Sequence, residues 1–199
     1  DPQSMDDSSS FTIYEPRLES CPPSASPVSE SADFDWRGGV LVRATNWLGD
    51  TLMSLPATYQ LSQALPMGIP LLVTCPAHLQ ATWHAASWVD GVLPFSNKRL
   101  KGESARQALH LQAGAALVFP NSFGAALDVL FKCIPVRIGR SGRGRRLLLT
   151  HRLAPWFPGE RHSSCHQLSH YLDIVACLVR VSCTTECPPL ATDAPSALL

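Results

Sequence analysis

Charge is scarce in this 199-residue chain: Asp, Glu, Lys and Arg make up 16% of it, against 45% hydrophobic residues. That balance excludes a charge-repelled, wholly disordered polypeptide and points to a body folded round a core. Long apolar runs are missing too. None approaches the ~18 residues of a spanning helix, and no secretory signal is visible, so any membrane contact is expected to be peripheral. No C-x-x-C pair occurs among the seven cysteines (Cys21, Cys75, Cys133, Cys165, Cys177, Cys183, Cys187). Their odd, scattered distribution argues against a secreted disulfide framework and for a reducing compartment. His166 and His170 beside Cys165 have helical spacing but no clear further ligands, so no metal site is expected. Acids are absent from residues 129–159, where seven bases lie (Lys132, Arg137, Arg140, Arg143, Arg145, Arg146, Arg152). Aromatic residues are not interleaved with those bases, which argues against a stacking platform for nucleic acid.

The complementary acid excess sits at the other end. Residues 1–36 carry eight acids and one base, Arg17, among Ser and Pro, and residues 1–38 read as a disordered leader. From Gly39 the pattern becomes regular. Buried strands are expected at 40–45, 69–75, 92–95, 115–119 and 136–138, with a further one at 147–149. Helices are expected at 51–65 (Pro56 close to its first turn), from Pro76 to about Ser87, and at 104–111, 122–132 and 165–179. Continuous apolar strands alternating with helices imply an α/β fold, a parallel sheet flanked by helices on both faces. Residues 181–199 read as an unstructured Pro/Ser/Thr-rich tail. No internal repeat is present.

The most informative stretch is Val40-Leu41-Val42-Arg43-Ala44-Thr45-Asn46-Trp47-Leu48-Gly49-Asp50, followed by Thr51-Leu52-Met53-Ser54-Leu55-Pro56-Ala57. A strand ends in a short glycine-containing loop and a helix begins at an acid. In open α/β sheets ligands bind at such junctions. A carboxylate there can accept a proton from a hydroxyl, although Asp50 also suits the N-cap of the helix. Gly49 permits close approach of a substrate or a positive-φ turn. Trp47 suits stacking on a sugar face or packing beneath the loop.

This junction closely resembles the opening motif of the ADP-heptose:lipopolysaccharide heptosyltransferases, glycosyltransferase family 9, and most of all their heptosyltransferase II branch. Three further segments match in the family's order: Leu117-Val118-Phe119-Pro120-Asn121-Ser122-Phe123 with Ala125-Ala126-Leu127; Ile134-Pro135-Val136-Arg137-Ile138-Gly139-Arg140 leading to Gly144-Arg145-Arg146-Leu147-Leu148-Leu149-Thr150-His151; and His166-Gln167 with Tyr171-Leu172-Asp173. The resemblance covers roughly residues 39–178. It implies a Rossmann-like acceptor-binding domain at 39–180, corresponding to the N-terminal half of a GT-B glycosyltransferase, with the donor-binding C-terminal half not represented.

The reaction so implied moves heptose from ADP-heptose to the lipopolysaccharide inner core with inversion, in the cytoplasm, with peripheral contact at the inner membrane. No cofactor is implied beyond the donor substrate. Inversion by direct displacement needs a base for the acceptor proton, and the resemblance gives that role to Asp50. Thr45, Asn46, Trp47 and Gly49 would surround the reacting hydroxyl. Asn121 and Ser122, in a second strand-to-helix loop, would bond sugar hydroxyls or simply cap the next helix. The Arg-rich segment 137–146, with Arg137, Arg140 and Arg143 foremost, is the expected anion binder, unless this is a solvated basic loop, and Lys98 with Arg99 and Lys101 would assist. His166, Gln167 and Asp173 are expected to pack on a helix face. The alternative is a non-catalytic, truncated Rossmann-like module that holds an anionic glycan or nucleotide.

Overall fold

The computed structural model describes residues 26–96, 112–142, 144–155, 167–181 and 186–191. Among these, six strands form one parallel sheet: β1 (Val40–Arg43), β2 (Leu71–Pro76), β3 (Gly91–Phe95), β4 (Ala115–Val118), β5 (Val136–Arg140) and β6 (His151–Leu153), in the order β3-β2-β1-β4-β5-β6. The chain therefore runs outward from β1 in one direction and from β4 in the other. β1 and β4 pair from Val40↔Ala115 to Arg43↔Val118, so their carboxyl ends open side by side. This is the Rossmann-like arrangement, and the reversal of strand order is where such sheets form a crevice.

Strands β1, β2 and β4 are buried along their whole length, in keeping with their largely apolar sequences. Val40, Val42, Val73 and Leu117 face one core, which the helices α1 (Leu48–Ala64) and α4 (Gln167–Leu178) close with Leu55, Leu61, Tyr171, Ile174 and Val175. Leu41, Leu72, Ala116 and Val118 face the other, closed by Ala125, Ala126 and Val129 of α3 (Phe123–Leu130) and by Ile134, Leu148 and Leu149. Helices α1 and α3 lie on opposite faces because right-handed crossovers that leave the sheet's middle in opposite directions must do so. Gly39 (φ +88°) admits this packing: a Cβ there would stand 2.3 Å from the Pro70 carbonyl oxygen.

Several expected elements differ. Helix α1 opens at Leu48, three residues early, so Pro56 is its ninth residue and not part of its first turns. The helix expected from Pro76 to Ser87 is a 3-10 turn (Ala77–Leu79) followed by the short α2 (Gln80–His84). The strand expected at 147–149 is not formed. Positive-φ turns at Gly142 and Gly144 lead into a 3-10 turn at Arg145–Leu147, Leu148 and Leu149 drop into the second core, and the pairing with β5 is made by His151–Leu153. The helix expected at 104–111 lies outside the described residues.

Parts of the expected leader and tail also pack on this body. Val28, Phe34 and Trp36 rest on the first core, Glu30 pairs with Arg180 (2.5 and 3.0 Å), and the Asp35 carbonyl sits where a Cβ on Gly114 would be. Cys187 and Leu190 pack there too, and the Ala191 N–H donates to the Ala85 carbonyl (2.8 Å). Apolar residues spaced irregularly among Ser, Pro and acids carry no period by which a sequence reading finds them. No helix among the described residues is long and apolar enough to cross a membrane.

Candidate functional site

A cleft of about 250 Å³ opens at the reversal point. The loop after β1 contributes Thr45, Asn46 and Trp47, the first turn of α1 contributes Asp50, the loop after β4 contributes Phe119 to Ser122, and α4 closes it with Gln167, His170 and Tyr171. Six of the expected site residues (Thr45, Asn46, Trp47, Asp50, Asn121, Ser122) are thus brought together from segments some seventy residues apart, by the adjacency of two strand ends.

Asp50 is not the helix cap. The N-cap position is Trp47, whose side chain caps nothing, and Asp50 stands three residues further in. Its Oδ1 accepts from Gln167 Nε2 at 2.7 Å, and Oδ2 has no partner among the described residues. Gln167 Nε2 also lies 3.2 Å from the Tyr171 hydroxyl oxygen. Burial above all pushes that phenol up to about 12. The hydrogen bond from Gln167 opposes the shift and the charge of Asp50 adds to it, so Tyr171 keeps its proton at neutral pH. The carboxylate is partly buried, held at one oxygen by Gln167 and without a partner among the described residues at the other. Such a group can take a proton from a hydroxyl lodged in the cleft.

The flanking loops are held by two buried arginines: Arg43, to which the sequence reading gave no role, and Arg145, part of the basic segment expected to bind anions. Arg43, at the end of β1, is 1% exposed. It donates to the Ala44 carbonyl (2.5 Å) and to Asn46 Oδ1 (3.3 Å from both terminal nitrogens), and its Nε lies 3.6 Å from Asp128 on α3. Its guanidinium also stacks over Phe95, 4.3 Å from the ring centroid. Arg145 donates to the Pro120 carbonyl (2.7 Å), to Asn121 Oδ1 (3.0 Å) and to the Arg140 carbonyl. With Oδ1 so engaged, the Asn121 amide nitrogen faces His170 Nε2 at 3.3 Å. Burial, reinforced by Arg140 and Arg145, pushes His170 down to about 3, so its ring is neutral and Nε2 is the acceptor.

The remaining expectations divide. Ser122 lines the cleft, but its hydroxyl is engaged as the N-cap of α3, accepting from the Ala125 N–H at 3.2 Å. Thr45 is buried and shares a hydrogen bond with Thr51 (3.0 Å). Gly49 lies in helical conformation with nothing within 4 Å of an added Cβ, so no positive-φ turn explains it and the space above it is open. Trp47 does not pack beneath the loop: it is 75% exposed at the cleft mouth.

Arg137 and Arg140 do not line the cleft. Arg137 is spent on the carbonyls of Leu148 (2.7 Å) and Ile134 (2.6 Å). Buried Arg140 pairs with Asp173 of α4 and donates to the Ala154 carbonyl (3.1 Å). A parallel sheet whose strands end in arginines satisfies them internally, which composition alone does not reveal. Arg143 and Lys98, like Arg99, Lys101, Cys165 and His166, lie outside the described residues. Among the described residues no group of three or more His, Cys, Asp and Glu is arranged to hold a metal.

Gln167 is a cleft residue rather than a packing residue, and Tyr171, part of the first core, lines the cleft as well. Their i, i+4 spacing puts them on one helix face, but nothing local says that this face meets Asp50, 117 residues upstream.

No protein-family model and no curated protein matches the chain. Solved structures do. Heptosyltransferase II of E. coli, an ADP-heptose lipopolysaccharide heptosyltransferase, is 26% identical with a TM-score of 0.57, over 69% of this chain and 40% of that one. The E. coli heptosyltransferase WaaC with ADP is 19% identical with the same TM-score of 0.57, over 69% of this chain and 45% of that one, a likeness of fold. The chain thus spans under half the length of these neighbours. Over that span, and on a Rossmann-like fold, it resembles the ADP-heptose:lipopolysaccharide heptosyltransferases.

Proposed function

We propose that this chain is the acceptor-side part of a heptosyltransferase of the heptosyltransferase II type, with Asp50 as the catalytic base. The observation that carries the proposal is the Asp50 carboxylate, held by Gln167 at the mouth of the cleft between β1 and β4 with one oxygen open. An acceptor sugar enters the cleft with its reacting hydroxyl at that oxygen. Asn121 and Asn46 orient the ring, and Gly49 leaves room for close approach. As the acceptor oxygen forms its bond to the anomeric carbon of ADP-heptose, its proton passes to Asp50. The bond from that carbon to the diphosphate breaks on the opposite face, and ADP leaves with the electron pair, which gives inversion. The donor's nucleotide would be held by a second, donor-binding half. An inner-core acceptor is carried on a lipid, so the chain would work in the cytoplasm in peripheral contact with the inner membrane.

The alternative reading, a non-catalytic module that binds an anionic glycan or nucleotide, is separated from the enzyme by whether sugar is transferred. The deciding experiment is a transfer assay with ADP-heptose and an inner-core acceptor, with and without a supplied donor-binding half. Transfer with that half present supports the enzyme; acceptor binding without transfer in either arm supports the module.

A further inference from the structure

A second cavity, of about 610 Å³, lies over the carboxyl ends of β2 and β3, lined by Pro76, His78, Phe95 and Ser96 and, in common with the Asp50 cleft, by Asn46 and Trp47. We propose that it is a second sugar subsite, which takes the saccharide unit next to the one whose hydroxyl meets Asp50. The inference rests on the acceptor reading above and adds where the rest of the acceptor lies.

Three observations carry it. The Asp50 cleft, at about 250 Å³, falls below the ~300–1,000 Å³ of typical small-molecule sites, whereas the second cavity falls within that range. An acceptor of linked sugars must therefore extend beyond the first cleft, and the walls common to both make Trp47 the crossing point. Trp47 itself is 75% exposed and caps nothing. An indole left bare at the rim of two cavities offers an apolar face to the C–H side of a sugar ring and an N–H to its hydroxyls.

The walls, moreover, are built in advance. Arg43 holds Asn46 by its Oδ1 and stacks over Phe95, so one buried guanidinium sets both sides of the cavity. With Oδ1 turned inward to Arg43, the Asn46 amide nitrogen has no partner among the described residues and stands ready to donate to a sugar hydroxyl. Exposed His78 and Ser96 supply further polar partners at the rim. A site whose walls need no rearrangement loses less on binding.

The test is a nitrogen-15 NMR titration of the chain with three probes: the methyl glycoside of heptose, an inner-core disaccharide ending in that heptose, and ADP. The monosaccharide is expected to shift the amides of Asp50 and Asn121. The disaccharide is expected to shift these together with His78, Ser96 and the Trp47 indole N–H, and to bind about tenfold tighter or more. Ala77→Tyr, which fills the second cavity from an exposed lining position, is expected to bring the affinity ratio of the two sugars towards one. Shifts at Asp50 and Asn121 with none at His78 and Ser96, or equal affinities for the two sugars, overturn the subsite and leave the acceptor reading standing. No binding of either sugar overturns both. Shifts at His78 and Ser96 produced by ADP instead overturn the assignment to sugar.

Discussion

Arg43 gives the sharpest test of how the site is held. Its charge is buried to 1% exposure and faces the equally buried Asp128 across 3.6 Å. Asp128→Asn keeps the shape of the partner and removes its charge, leaving the guanidinium in a low-dielectric interior without that counter-charge. Breaking a buried pair from one side costs about 3–5 kcal/mol, because the surviving charge stays desolvated. Domains of this kind have ~5–15 kcal/mol in all. With a urea slope of ~2 kcal/mol per molar, the unfolding midpoint should fall by about 1.5–2.5 M. Removing both charges together, Arg43→Met with Asp128→Leu, should restore most of that loss, since two packed apolar chains need no solvation. The folded double variant should nevertheless bind acceptor sugars less well, because Asn46 and Phe95 lose the group that positions them. Urea unfolding of the three proteins, followed by far-ultraviolet circular dichroism, makes the comparison. A shift below about 0.5 M for Asp128→Asn, or a double variant no more stable than the single one, would refute the reasoning.

Two further outcomes follow from the same geometry. Gly49→Ala places a methyl group in open space on a helical residue, so stability should rise by up to about 1 kcal/mol while sugar affinity falls; unchanged affinity in calorimetric titration would show that no ligand approaches there. His170 is held near 3 in the fold against its ordinary 6.5, so between those values the unfolded chain binds a proton that the folded chain refuses. Stability should therefore fall as pH drops from 6.5 towards 3, and His170→Gln should flatten that slope by up to about 1.4 kcal/mol per pH unit; parallel pH profiles for the two proteins would contradict the assignment.

Strands β1 to β5 and the two loops at the reversal point were legible in the sequence because apolar runs, glycine and the strand-to-helix change are local signals. Asp50 and Asn121, which line the cleft, were singled out that way. Gln167 was not, because its partner is 117 residues away and only the placement of α4 on α1 brings them together. The arginines were misread for a related reason. Arg137 and Arg140 look like an anion site as a run of letters. In the fold they lie on β5, and their guanidiniums turn to the carbonyls of Leu148, Ile134 and Ala154 and to Asp173. Arg43 and Arg145 share that fate, and it is through them that charge shapes the cleft. The triple leucine at 147–149 suggested a strand because a short apolar run has no period to distinguish strand from turn.

The central claim is that the carboxylate at position 50 receives the proton of an acceptor hydroxyl, and one measurement addresses it directly. Asp50→Asn is compared with the unsubstituted protein for heptose transfer from ADP-heptose to an inner-core acceptor, with the donor-binding half supplied. The account predicts a loss of about 10²–10⁴-fold in kcat, with acceptor affinity changed by less than about threefold and stability by less than about 1 kcal/mol. Transfer by Asp50→Asn within tenfold of the unsubstituted protein would contradict it.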